Sequence, residues 1–375
     1  MSNLKEIALV FFKMGCFAFG GPAAHIAMME QEIVSKRKWM THEHFLDLIG
    51  ATNLIPGPNS TEMTMHCGHE RGGWAGMFLA GICFIFPAVF ITGILAWFYV
   101  QYGNLPNVKP FIVGIQPAII AVIIQALFKL GKKAIKNVEL AIFGVIALGL
   151  NLFLLNEIFS LLATAILGTI YFSVKNKAQA NSINPSILLL LQPFGLAAAK
   201  ISSLSVFLTF LKVGAILYGS GYVLFAYLDA EFVETGIMTR EALLEAIAVG
   251  QFTPGPVLST ATFVGFQLNG FWGAIAATTG IFLPSFLLVL LLNPLIPKMR
   301  KSKPLKHFLN LMSVGAVALM IAVLIKMGTT TLLDIKNAAI FIISLVLVLF
   351  VKKVNAMHIV LIGSILGYIL SLISL

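Results

Sequence analysis

Charge is scarce in this chain. Its 375 residues carry 25 Lys and Arg and 15 Asp and Glu, 11% in all, against roughly a quarter in soluble domains. A water-soluble globular enzyme does not have this composition. Cysteine is scarcer still: Cys16, Cys67 and Cys83 each lie in an apolar run without metal-ligand spacing and read as small reduced hydrophobes. His-Glu-x-x-His, Gly-x-Ser-x-Gly, Walker A and dinucleotide-binding signatures are all missing. The chain therefore splits no ATP, carries no nucleophile and base set for an enzyme, and needs no cofactor. Whatever work it does draws on an ion gradient, the membrane potential or a solute's own gradient. The excess of ten positive charges does not point to nucleic acid, because no basic cluster belongs to a polar folded domain. Met14, Met28, Met29, Met63 and Met65 read as packing rather than soft-metal ligands. A cleavable signal peptide is not expected.

What fills the space is apolar: 59% of the residues are hydrophobic. At about 20 residues per span plus short connections, the chain makes on the order of ten crossings and leaves little for any domain outside the bilayer. The expected fold is an all-α polytopic membrane protein, with its function inside the lipid bilayer. Apolar runs long enough to span lie at 4–34, 74–101, 109–131, 138–155 and 157–174, then at 204–229, 271–297, 308–327, 333–351 and 355–374.

These two sets of five reflect an internal repeat. Lys13, Gly15, Gly20 and Glu32 recur 199 positions later as Lys212, Gly214, Gly219 and Glu231, and Glu30 meets Asp229 at the same offset. Met40-Thr41 and Pro56-Gly57-Pro58 recur at 198 as Met238-Thr239 and Pro254-Gly255-Pro256. Gly68, Gly73, Gly76 and Pro87 recur at 197 as Gly265, Gly270, Gly273 and Pro284, and Lys129-Leu130-Gly131 as Lys326-Met327-Gly328. Two transporter repeats are expected, 1–180 and 200–375. They are joined by 181–199, a linker that could also form an interfacial or extra helix.

Charge placement orients them, since cytoplasmic loops collect Lys and Arg. The basic loops are Lys36-Arg37-Lys38, Arg71, 129–136, Lys175 with Lys177, 298–306 and Lys352-Lys353. All fall on one face if 45–68 and 242–266, each broken by Pro-Gly-Pro, return to their side of entry as re-entrant hairpins. Five crossings per half then follow. An odd number inverts the second half relative to the first, and both termini face outward. The loops agree, because basic Lys36-Arg37-Lys38 corresponds to the acidic stretch around Glu231, Glu234 and Glu241. Inverted repeats with interrupted helices in corresponding positions are the architecture of secondary transporters, which hold substrate near the midplane between the halves.

Two kinds of interruption could carry the chemistry. In the first, Gly20, Gly21 and Pro22 precede Ala23, Ala24 and His25, and should break the helix so that the piece after Pro22 exposes free amides attractive to anions. The counterpart Gly219-Ser220-Gly221 lacks the proline, and a kink or close helix crossing is the bland alternative. In the second, the segment 53–62, with Asn53, Pro56, Gly57, Pro58, Asn59, Ser60 and Thr61, is paired with 251–260, with Gln251, Thr253, Pro254, Gly255, Pro256, Ser259 and Thr260. There Pro58 and Pro256 suit helix starts whose amides and hydroxyls could replace a hydration shell; a capped surface turn is the alternative. Lys13 and Lys212 lie about a turn and a half before the glycine breaks and could supply charge to a substrate or snorkel to the interface. Glu32, at the end of the first span, and Glu62 with His66, four residues apart on one helix face, could relay protons.

The stretch 19–26, then Glu32 and Trp39, then 56–61, then 81–87 resembles the signature of the chromate ion transporter family. Gly250-Gln251-Phe252-Thr253-Pro254-Gly255-Pro256 and Phe282-Leu283-Pro284 resemble that family's second domain. The resemblance implies a multi-pass prokaryotic inner-membrane transporter that exports chromate and draws on the proton motive force, with relatives that occur as paired half-length proteins. Sulfate, a tetrahedral dianion of similar size, is an equally fitting substrate. The expected partners are therefore a chromate- or sulfate-like dianion, protons and lipid, with a homodimer left open. The expected mechanism is alternating access; a passive oxyanion channel, or a transporter of another anion, is the alternative.

Overall fold

A computed structural model describes residues 3–19, 21–103, 105–106, 108–153, 157–176, 202–218, 221–292, 302–351 and 354–372. The linker expected at 181–199, and the candidate residues Gly20, Gly219 and Ser220, lie outside the described residues. Among the described residues there is no strand, as an all-α fold requires.

The first apolar run is not one helix. α1 (Asn3–Phe17) stops before the glycines, α2 (Pro22–Met29) restarts at the proline, and a π-helical turn (Glu30–Lys36) ends the run. The second half repeats this plan: α8 (Ser203–Ile216), a single 3-10 turn (Gly221–Val223), α9 (Leu224–Leu228) and a π-helical turn (Asp229–Val233). α3 (His42–Thr52) ends at the first Pro-Gly-Pro, and α10 (Arg240–Phe252) ends at the second. A 3-10 turn (Val257–Ser259) then leads into α11 (Thr260–Leu292), whereas α4 (Asn59–Tyr102) starts directly after Pro58.

Both α4 and α11 contain a reversal. Gly73 and Gly270 have φ of 58° and 56°, outside the helical range. Gly68 touches Gly76 backbone to backbone, as does Gly265 with Gly273. Eight residues along a straight helix would put those pairs about 12 Å apart, so 59–71 must fold back on the segment beginning at 74. α1 packs on the returning arm, where Gly15 meets the Phe84 carbonyl; α8 does the same in the second half, where Gly214 meets the Ile281 carbonyl.

The remaining helices among the described residues are α5 (Lys109–Ala134), α6 (Val138–Phe153), α7 (Glu157–Asn176), α12 (Lys303–Thr331), α13 (Ile335–Phe350) and α14 (Ala356–Ser371). Among the described residues, four stretches are long and apolar enough to cross a membrane: Asn59–Tyr102, Lys109–Ala134, Val257–Leu292 and Lys303–Thr331. α13 and α14, at 16 residues each, reach only about 24 Å. The outer face is apolar: along α4, Trp74, Phe78, Ile82, Phe86, Phe90 and Ile94 are exposed at four-residue spacing. In water this stripe would be a sticky patch; in a bilayer it is the lipid-facing surface.

Candidate functional site

The breaks of one half are braced by the loops of the other. Gly57, inside the first Pro-Gly-Pro, donates its N–H to the carbonyl of Leu217 at 2.7 Å, in the break of the second half. Gly255, inside the second Pro-Gly-Pro, donates to the carbonyl of Ala18 at 2.9 Å, in the break of the first. Leu217 is the repeat counterpart of Ala18, so the two bonds form a reciprocal pair. Both glycines have positive φ, 141° and 86°. At Gly57 a Cβ would collide with Glu62 and Ser285, and at Gly255 it would lie 2.9 Å from Ala88 Cβ and 3.2 Å from the Gly15 carbonyl. Ser285 is in turn the counterpart of Ala88.

Further polar contacts cross between the halves. Tyr218, beside Leu217, donates its hydroxyl to the Asn53 carbonyl. Asn53 also accepts a bond from Asn59 Nδ2 at 2.8 Å across the loop. Thr92 Oγ1 donates to Thr253 Oγ1 at 3.3 Å, with both side chains buried. Phe19, Gly21, Gln251, Thr253, Gly255 and Val257 together line a hollow of about 10 Å³. Pro22, Pro254 and Pro256 hold the backbone of these segments, and Pro56 that of the first loop. Within the first half, the fully buried His25 ties the break to α4: Nε2 donates to the Ala18 carbonyl at 3.1 Å and Nδ1 meets Ser60 Oγ at 3.2 Å. A carbonyl can only accept, which assigns the hydrogen to Nε2. The counterpart positions hold Leu224 and Leu258, both buried.

What these segments leave unsatisfied matters as much. α3 and α10, which start in loops, are capped by Thr41 and Thr239. The starts at the breaks, α2, α4 and the 3-10 turn at Val257, have no side-chain cap. Buried atoms without a hydrogen-bond partner include Thr61 Oγ1, its counterpart Ser259 Oγ, Ser285 Oγ, Gln251 Nε2 and both carboxyl oxygens of Glu62. Natural interiors rarely leave such groups alone, and uncapped helix starts are anion sites.

The other candidates lie outside these contacts. Lys13 is exposed on α1 and lines a separate cavity with Glu32, Lys36 and Arg37. Lys212 forms an ion pair with Glu231. Glu32 binds Lys36 at 3.0 Å and Arg37 at 3.1 Å. His66 is buried one turn beyond Glu62. Sequence reasoning missed Tyr218 and Ser285; the signal for Ser285 was its place beside Pro284, which matches Pro87.

A further contact between the halves also escaped it. Glu245 of α10 accepts from Gln116 of α5 at 3.0 Å and from the hydroxyl of Tyr99 on α4. At the counterpart of Gln116, Ser313 instead lines an open cavity of about 460 Å³ that reaches Asn53, Asn59 and Tyr218.

Comparison with known sequences decides the family, because the Chromate transporter family matches residues 5–169 and again residues 204–368. The chain belongs to that family. Family members are transport proteins rather than enzymes, and this transporter is a multi-pass membrane protein. It is 28% identical to a probable chromate transport protein of Synechococcus elongatus, over 92% of this chain and 89% of that one. It is 26% identical to a chromate transport protein of Cupriavidus metallidurans, over 98% and 93%. An uncharacterized transporter of Bacillus subtilis is 24% identical over 43% of this chain but 92% of its own length. No solved structure matches the transporter.

Proposed function

We propose that this protein is a secondary active transporter that exports chromate, or the similar dianion sulfate, across the cytoplasmic membrane by alternating access. The observation that carries the reading is the reciprocal bracing of Gly57 on Leu217 and Gly255 on Ala18. It brings the interrupted segments of both halves together and surrounds them with uncapped helix starts and unpaired hydroxyl and amide donors. A dianion is prohibitively costly in hydrocarbon without such donors. Irregular backbone at membrane depth also survives only where it is buried in protein or lines a wet cavity. The binding residues are the amides and side chains of the breaks, Thr61, Gln251, Ser259 and Ser285 foremost. Lys13, exposed on α1, acts from outside this set as a source of positive field, whereas the charge of Lys212 is offset by its ion pair with Glu231.

The topology that fits is two inverted repeats, 1–180 and 200–375, each with five crossings and one re-entrant hairpin tipped by Pro-Gly-Pro. On that topology the Gln116–Glu245–Tyr99 contact closes the outer side, while the counterpart cavity at Ser313 opens to the cytoplasm. The conformation is then inward-open, and rocking of the halves exchanges the two arrangements.

Glu62 supports a link to protons. An ionised carboxylate beside the site repels a dianion, so anion binding favours the protonated acid. Export of a dianion with one proton moves a single net negative charge outward. An inside-negative potential drives that step with about 2.3 kcal/mol per charge per 100 mV, less the work of moving the proton out against any inside-alkaline pH gradient.

Counterflow of radiolabelled chromate and sulfate in proteoliposomes tests the proposal. Saturable exchange, and accumulation against a gradient under an imposed potential, are expected. Flux that never accumulates solute against its electrochemical gradient would make the protein a passive channel, and absence of flux for both anions would reject the substrate class.

A further inference from the structure

We propose that Lys133, Lys136 and Lys306 form an anion-loading site in the wall of the 460 Å³ cavity, where a hydrated oxyanion dianion is captured before it reaches the first Pro-Gly-Pro break. This rests on the transport reading above and names the residues through which that site is reached.

The three lysines come from both halves, the end of α5 and the residues after it supplying two and the first turns of α12 the third. They meet around one cavity, which Asn53 and Asn59 of the break also line. Lys136 Nζ donates to Asn310 Oδ1 at 2.8 Å, which fixes its ammonium against the wall. No carboxylate stands among the described lining residues, and none pairs with these lysines among the described residues. Several basic groups elsewhere are offset: Arg37 and Arg71 share Glu6, Lys175 meets Glu139, Lys212 meets Glu231, and Lys326 meets Glu234.

Three uncompensated charges in a concave space with apolar walls focus the field on whatever enters. The volume holds on the order of ten waters at about 30 Å³ each, so the ion keeps much of its hydration there. Lysine suits that task, because a strongly hydrated point charge attracts without the rigid bidentate grip of arginine. Loading of this kind raises the local concentration of dianion and selects against cations, leaving discrimination between anions to the break.

The test is sided uptake of radiolabelled sulfate and chromate into vesicles of phosphatidylcholine alone, comparing the parent with a Lys133→Gln/Lys136→Gln/Lys306→Gln variant and a matching triple Arg variant. From the lysine face, the Gln variant should show KM raised roughly tenfold or more with maximal rate retained. Its KM should lose most of the salt dependence that screening gives the parent. KM from the opposite face should stay unchanged, and the Arg variant should restore the parental values. An unchanged KM, or an equal rise from both faces, overturns the proposal. A difference that appears only when anionic phospholipid is added also overturns it, by assigning the lysines to lipid headgroups. If the parent transports neither anion, the transport reading fails by itself. Equilibrium dialysis of radiolabelled sulfate against the solubilised protein then decides the loading site: salt-sensitive binding lost in the Gln variant supports it, and binding equal in both removes it.

Discussion

Gly57 concentrates several demands on one residue. Its φ of 141° is closed to most side chains, its N–H holds the opposite half, and its missing side chain leaves room for Glu62 and Ser285. Gly57→Ala should therefore lower transport at least about tenfold. The strained backbone costs about 1–2 kcal/mol, and the collision must move either Glu62 or Ser285; thermal unfolding in detergent should register the loss as a lower Tm. Glu62→Gln isolates the proton. The parent should bind sulfate more tightly as pH falls, since protonation removes a repelling charge, whereas the Gln variant should bind with an affinity independent of pH. Titrating KM against pH for both proteins checks this, and a parallel pH dependence in the two would remove Glu62 from the coupling. Much of this residue scale was legible in the sequence: Pro-Gly-Pro twice, at one offset, marks backbone that only glycine can form. The role of the lysines was not. A lysine's long stem lets its charge sit several ångströms from its Cα, so periodicity suggested Lys13 and Lys212 while the cavity gathered Lys133, Lys136 and Lys306, which lie up to 173 positions apart in the chain.

At the scale of elements, the reversals at Gly73 and Gly270 fall where the apolar runs begin. The sequence marks 74 and 271 as the starts of spans, and non-helical backbone at Gly72–Gly73 and Asn269–Gly270 separates those arms from the segments that precede them. The broken first spans were readable from glycine and proline; the π-helical turns that follow them in both halves were not, because no residue type announces them. Helix packing also yields a direct test of rocking. Thr92 and Thr253 face each other across the halves at 3.3 Å between hydroxyls. In a background lacking Cys16, Cys67 and Cys83, a Thr92→Cys/Thr253→Cys pair should cross-link on oxidation. Transport should stop when it does and return with reductant, whereas each single variant should ignore both treatments. Full activity in the cross-linked protein would mean that this contact does not move. Glu245→Gln addresses the outer closure: with its charge removed the contact to Gln116 and Tyr99 weakens, and accessibility of Ile112→Cys, one turn before Gln116 on α5, to an impermeant thiol reagent from outside should rise several-fold.

For the whole molecule, the repeat is read from the sequence by subtraction alone, and the family match covers residues 5–169 and 204–368. What subtraction could not supply was how the copies interlock, because a contact between Gly57 and Leu217 spans 160 positions and leaves no local trace. That interlock bears on the history of such chains. Each copy offers a loop amide, Gly57 or Gly255, whose carbonyl partner belongs to the other copy, so that a solitary copy would leave this amide bare. Two identical copies can meet the need as readily as two divergent ones, which makes a two-part ancestor mechanically sound and the Bacillus subtilis half-length relative intelligible. Severing the polypeptide between 177 and 201 should then be tolerated: fragments synthesised together should copurify and restore sulfate flux, whereas either fragment produced alone should be degraded.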